Sequence, residues 1–190
     1  MPDRPLILAF DTSAAHCAAA LLSGDHVVAR RGLAMSRGQA EALVPLLDDV
    51  LAEAGVTYGA LTRIGVGIGP GNFTGIRISV ACARGLALAL GVPAVGISTF
   101  QAIRQGVAGA TAAVPAPRGQ VYLDQGGRPY QVASHEAPPD ATLPPADPAD
   151  LAVWIAQAAA IAPVREAPAP LYARPADAAP PRDQPPVLIP

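Results

Sequence analysis

Residues 65–91, GVGIGPGNFTGIRISVACARGLALALG, constrain what this chain can fold into more than all the rest of it. A short apolar strand, Arg63 to Ile68, runs into a loop carrying Gly67, Gly69, Pro70 and Gly71. The pattern then predicts a helix of about 17 residues that starts near Thr74 and stops at Gly91. Only Arg77, Ser79 and Arg84 on it are clearly polar. A helix that is apolar nearly all round is buried on more than one side. Its own sheet covers one face. A second element must cover the other, and no later segment is an obvious candidate.

A strand that opens through glycines into a helix invites a phosphate-binding reading. The spacing speaks against it. Gly67-x-Gly69 is followed by Asn72 where a third glycine belongs, and Gly69-x-Gly71 by Thr74. All thirteen basic residues are arginine, so a Walker lysine and Schiff-base chemistry are both excluded. The glycines are read instead as residues that turn the loop tightly and let backbones approach, with Asn72 or Thr74 capping the helix. Asp11-Thr12-Ser13, at the end of the first strand, has two readings. Its oxygens suit a metal or nucleotide phosphates, as in actin-like kinases; equally, they suit a turn that hydrogen-bonds to its own backbone.

Proline divides the chain. Residues 1–100 hold 5 of the 22 prolines and 13 of the 18 glycines, and residues 101–190 hold the other 17 and 5. The first part reads as strands at 6–11, 17–22 and 26–30, with a hairpin turn at Ser23-Gly24-Asp25. A helix follows from about Gly38 to Ala54, with Leu43, Leu47, Val50, Leu51 and Ala54 in one stripe. Pro45 should kink its first turns or mark its true start. Strand 63–68, the apolar helix and a strand at 94–97 complete the order β-β-β-α-β-α-β. That is the order of a ribonuclease H-like or actin-like lobe, with both helices on the sheet. The second part supports strands near 112–114 and 120–124 and a helix over 148–161, a reduced second unit. Its last stretch, 163–190, reads as extended or polyproline-like chain. The expected division is a ribonuclease H-like lobe with partner-binding helices over 1–100, and a shortened Ala/Pro-rich lobe with its tail over 101–190.

The formal net charge of -2 argues against a free-standing nucleic-acid binder. Cys17 and Cys82 have no CxxC spacing and read as small buried core residues. His16, His26 and His135 make no short metal-ligand pattern, and no G-x-S-x-G elbow is present. The amino-terminal apolar run is too short for a signal peptide or a membrane span, so the chain reads as soluble and cytoplasmic. Arg77 and Arg84 stand seven residues apart on one helix face, with Ala81 between them and Leu88 one turn on. Two cations flanking small residues resemble the rim of a helix–helix contact.

These residues carry a family resemblance. Asp11-Thr12-Ser13, RGQAEALVPLLDDVL (37–51), IGVGIGPGNFTGIRISVACARGLALALGVPAVGISTFQAI (64–103), PRGQVY (117–122) and PLYARPADA (170–178) resemble the TsaB/YeaZ family, with GPGNFTGIRI the most specific part. The resemblance implies an actin-like protein that has lost its own catalytic site and pairs, through its two amino-domain helices, with a catalytic TsaD-type paralogue. That paralogue carries an HxxH metal site and transfers threonylcarbamoyl to the adenosine 3′ of the anticodon in tRNAs reading ANN codons. A TsaE-type ATPase joins the complex, and tRNA is met through it. No cofactor of the chain's own is implied; ATP or ADP and a metal enter with the partner subunits. The expected partner interface is Glu41, Phe73, Thr74, Arg77, Ala81, Arg84, Gly85 and Leu88. A degenerate nucleotide contact is expected at Asp11, Thr12 and Ser13, with no catalytic residue, no metal ligand and no membrane contact. The isolated chain can also pair with itself. The alternative is an enzyme, an actin-like nucleotide-dependent phosphotransferase or carbamoyl-transfer protein. A peptidase is a poorer third.

Overall fold

The computed structural model describes residues 4–173. Its first five strands are β1 (Leu6–Asp11), β2 (His16–Ser23), β3 (His26–Ala34), β4 (Arg63–Gly67) and β5 (Ala94–Ile97). They form one mixed sheet in the order β3-β2-β1-β4-β5. The three amino-terminal strands are antiparallel, and β4 and β5 extend the sheet in parallel from β1. In β2, Cys17 to Leu22 are buried without alternation, because helices cover both faces of a central strand. At the edge, β3 is mostly exposed and carries Arg30 and Arg31, charges that blunt an unpaired strand edge.

Two helices, α1 (Gln39–Glu53) and α2 (Phe73–Leu90), cover one face. Leu43, Leu46, Leu47, Val50 and Leu51 of α1 meet Leu8, Phe10 and Leu21 of the sheet in a shared core that also takes in Ala83 of α2. The expected stripe omits Leu46, and its Ala54 is only half-buried. Pro45 neither starts the helix nor breaks it, because α1 begins six residues earlier and keeps the proline inside. The proline lies on the exposed side, where water can serve the carbonyl that its missing N–H leaves unpaired. The apolar helix starts at Phe73, one residue before the expected Thr74, and Asn72 caps it. Gly91 ends it in the left-handed conformation.

Beyond β5 come α3 (Thr99–Gly106), β6 (Thr111–Ala116), β7 (Gln120–Gln125), β8 (Arg128–Ala133), β9 (Ala141–Thr142) and α4 (Pro148–Ile161). The sequence pattern anticipates β6, β7 and α4 but not α3, β8 or β9. A capping box between Ser98 and Gln101 opens α3. The second sheet runs β8-β7-β6-β9 and packs on α3 through Phe100, Ile103, Val114 and Tyr122. Although α4 follows this sheet in sequence, it covers the back of the first one. Leu151, Ile155 and Ala159 pack there on Ile7, Ala9, Val95 and Ile97. Gly65 permits the approach, since a Cβ there would crowd both Ala159 and Ala9. Arg63 donates to the Ala159, Ala160 and Ala162 carbonyls at 2.5, 3.2 and 3.1 Å, satisfying the end of α4 with a cation.

By length and composition α2 could cross a membrane. Here its Ile76, Ser79, Val80 and Ala83 are buried inside the protein, while Arg77 and Arg84 stand on its outer side. The expectation of burial on more than one side is therefore corrected: the sheet and α1 cover the inner face, and the outer face is exposed. Residues 163–173 form no regular element but are fixed locally, with Leu171 N–H donating to Ile68 O at 2.8 Å. The rest of the expected tail, 174–190, lies outside the described residues.

Cys17 is fully buried in β2, whereas Cys82 is only half-buried, which corrects the expectation that both are core residues. Burial, helped by the charge of Asp11, pushes the Cys17 thiol up to about 11 from its ordinary 9.0. The folded chain thus holds this proton more tightly than the unfolded one. Its stabilising contribution is complete below the ordinary thiol value and is lost as pH rises toward 11. The urea midpoint should fall between about pH 8.5 and pH 10.5, and Cys17→Ala should flatten that fall. Equal slopes in the two proteins would contradict this account of the thiol.

Candidate functional site

The turn after β1 and the glycine loop after β4 are clasped together. Thr12 Oγ1 donates to Gly75 O at 2.6 Å, and Asn72 N–H donates to Ser13 O at 2.6 Å. Ser79 Oγ reaches back to Gly67 O at 3.1 Å. Three glycines make the contact possible. A Cβ on Gly67 would overlap Asp11 Oδ1, one on Gly71 the Ser13 carbonyl oxygen, and one on Gly75 the Thr12 carbonyl oxygen. The reading of these glycines as allowing close backbone approach is what the structure shows. Asn72 is the cap, its Oδ1 accepting from Gly75 N–H at 2.9 Å.

Asp11, Thr12 and Ser13 are all buried. Asp11 Oδ2 accepts from Ser13 N–H at 3.0 Å and Ser13 Oγ at 2.8 Å, and His16 Nε2 stands 2.6 Å from the same oxygen. The sequence patterns test His16 against metal binding and hydrolysis alone; its place five residues after Asp11, at the start of β2, is the signal for this pairing. Asp11 Oδ1 is buried without a hydrogen-bond partner among the described residues. Beside the turn lies a cleft of about 560 Å³ between the two sheets, lined by Ser13, His16, Asn72, Thr99, Tyr122 and a run of alanines and prolines. Among the described residues no arginine lines it, and Asp11 Oδ2 is turned into its own loop. These residues do not fit a phosphate cradle, so the turn that bonds to itself is the reading the geometry favours.

The other expected residues lie on the outer surface of α1 and α2. Thr74, Arg77, Ala81, Arg84, Gly85 and Leu88 are exposed on α2, with Leu88 at 87 %, and Glu41 is exposed in the first turn of α1. Phe73 is half-buried. Its ring stacks on Tyr172 with centroids 4.8 Å apart, the Arg77 guanidinium lies 3.9 Å from the Phe73 centroid, and Arg77 Nε donates to Tyr172 Oη at 2.8 Å. Cation–π contact and hydrogen bond together hold Arg77 at the helix start. Tyr172 was not singled out, although it falls inside the PLYARPADA stretch.

Residues 33–158 match the family described as "TsaD: tRNA N6-adenosine threonylcarbamoyltransferase". A relative from Escherichia coli (strain K12), the "tRNA threonylcarbamoyladenosine biosynthesis protein TsaB", is 34% identical over 145 residues, covering 73% of this chain and 62% of the relative. The chain belongs to the TsaB/YeaZ family. A Haemophilus influenzae TsaB is 32% identical over 125 residues, 63% of this chain and 52% of the relative. The chain thus spans between about half and three fifths of these relatives' length. A Pseudomonas aeruginosa structure described as similar to peptidase YEAZ superposes with a TM-score of 0.72 at 26% identity, covering 90% of this chain and all of that one. "YeaZ from Pseudomonas aeruginosa" gives 0.56 at 33% identity, covering 68% and 65%. With the observed strand order, these likenesses make the α/β fold of the TsaB/YeaZ family the fold of this chain.

The clasp makes a sharp expectation for one glycine of this TsaB/YeaZ pattern. Gly75→Ala should destabilise the protein by about 3 kcal/mol, because the new methyl meets backbone and not a movable side chain. Urea denaturation checks it; a loss below about 1 kcal/mol would mean that the two loops can part.

Proposed function

We propose that this chain serves threonylcarbamoyladenosine synthesis on tRNA as a non-catalytic partner subunit. It binds and activates a TsaD-type catalytic paralogue, which transfers threonylcarbamoyl to the adenosine 3′ of the anticodon in ANN-decoding tRNAs. A TsaE-type ATPase and the tRNA are met in that complex, and ATP or ADP and a metal enter with the partner subunits. The observation that carries the reading is the outer face of α2. A folded domain does not normally leave one face of a long apolar helix open, and here Ala81 lies open between Arg77 and Arg84, with Gly85 and Leu88 open just beyond them. The relatives' printed role in threonylcarbamoyladenosine biosynthesis supports the process, and the self-bonded Asp11 turn supports a silent site.

Purified chain should hydrolyse no ATP and modify no tRNA alone, and should raise the modification rate of its paralogue when the two are mixed. Turnover by the chain alone that is abolished by Asp11→Asn would sink the partner reading in favour of the phosphotransferase. Without its partner the chain should pair with itself as a two-fold dimer, visible by light scattering at micromolar concentration.

Ala81→Glu tests the face directly. It places an unpaired charge in the middle of the contact, so binding to the paralogue should weaken by about a hundredfold or more. Folding should survive, because Ala81 is exposed. Circular dichroism beside a binding titration separates the two effects, with Asp140→Ala as a distant control. Unchanged affinity in a folded Ala81→Glu protein would move the interface elsewhere.

A further inference from the structure

After α4, residues 163–173 run back along the flank of α2. At one end of the helix Tyr172 stacks on Phe73. At the other, Val164, Arg165 and Pro168 join Arg84, Gly85 and Leu88 around a groove of about 520 Å³. The groove is aliphatic between its two arginines, and Val164 is 52% exposed beside the open Leu88. Arg30, Arg31 and Arg104 each pair with a carboxylate. Among the described residues neither Arg84 nor Arg165 has one. Gly85 adds an independent observation. A glycine inside a helix is less favourable than alanine. Gly75, the other glycine of α2, is required by the clasp, whereas a Cβ on Gly85 would meet nothing within 4 Å. Nothing within the described chain calls for a glycine at this point.

We propose that this groove is a binding site for an acidic, otherwise aliphatic segment of the partner protein. Its carboxylate is held by Arg84 and Arg165, and an aliphatic side chain lodges over Gly85 against Leu88 and Pro168. The inference rests on the partner-subunit reading and adds the 163–173 segment to the docking surface, which α2 alone does not complete. Two arginines without carboxylates set the charge of the occupant, since a guanidinium–carboxylate pair is a strong, oriented contact. Continuity sets its place, since Arg84, Gly85 and Leu88 lie on the same exposed helix face as Ala81. An RNA strand fits less well. Among the described residues the groove has no aromatic ring on which a base could stack, and the chain is net acidic.

The test measures association of the full chain with its TsaD-type paralogue from the same genome, for the parent, Arg165→Glu, Gly85→Leu and Gly85→Ala. Arg165→Glu and Gly85→Leu should each weaken binding at least tenfold with the far-ultraviolet dichroism of the parent. Gly85→Ala should raise the unfolding temperature while weakening binding, a split that a merely structural role for Gly85 would not produce. Raising salt should weaken the parent complex more than that of Arg165→Gln, because one charge pair is then missing. If the parent binds and these variants bind within twofold of it, the groove is not the site and the partner reading stands. If the parent itself does not bind the paralogue, both fall. Loss of a homodimer with the paralogue complex intact would assign the groove to a second copy of the chain. Loss of tRNA affinity with the paralogue complex intact would assign it to RNA. Either result overturns the proposal.

Discussion

The exposed face of α2 depends on a contact buried behind it. The β1–β2 turn and the glycine loop meet directly, held by the Thr12 hydroxyl donating to Gly75 O and by Asn72 N–H donating to Ser13 O. Each such bond contributes about 1 kcal/mol net. The larger constraint is steric, because three positions on one side of the contact, Gly67, Gly71 and Gly75, accept only hydrogen. The same loop is tied onward: Gly69 O accepts from Thr99 N–H at 2.9 Å at the start of α3, and Ile68 O accepts from Leu171. Sheet, α2, α3 and the returning 163–173 segment are thereby set from one junction. A loop locked in this way makes a rigid base for a helix.

Rigidity has a consequence for the outer face of α2. The clasp and the Asn72 cap fix the rotation of the helix at its first turn. With Ile76, Ser79, Val80 and Ala83 turned inward, Arg77, Ala81, Arg84 and Leu88 have to face out. The stack of Arg77 on Phe73 and Tyr172 orders a long side chain before anything binds, which lowers the entropy that docking must overcome. Presentation of this face is thus a property of the fold and does not await a partner.

What was readable in the sequence was local or periodic. The seven elements of the first sheet and its helices follow from apolar runs, the helical stripe of α1 and the glycine punctuation, and each was placed within a few residues. In the Asp11 turn, both hydrogen-bonding readings are available from three residues; His16 is a local neighbour five residues on, but Gly67, against which the carboxylate lies, is brought to Asp11 only by the tertiary structure. The capping box that opens α3 is a local signal, Ser98 with Gln101, and was open to view. The short β9 gains its identity only by pairing with β6. Trp154 also resisted prediction. It joins three apolar clusters and lies where Gly106 has no side chain, a contact between positions almost fifty residues apart.

The comparison of α2 with α4 shows why hydropathy alone misleads about what covers a helix. Both are apolar helices, and α4 is the one with fewer charges. It buries eight of its fourteen residues and is sealed to the sheet through Gly65 and the Arg63 bonds at its end. With five of its eighteen residues buried, α2 is the less covered helix, although its alanines and leucines suggest the deeper burial. What separates them is the placing of cations. Arg77 and Arg84 recur at a spacing that keeps both on one side, so that side can neither be packed into a protein interior without counter-charges nor left as an ordinary solvated stripe beside Ala81, Gly85 and Leu88. A surface with those two properties is stable when a second protein supplies both the apolar cover and the acidic groups. The second arginine of the groove, Arg165, extends the same logic from the helix to the chain that returns beside it.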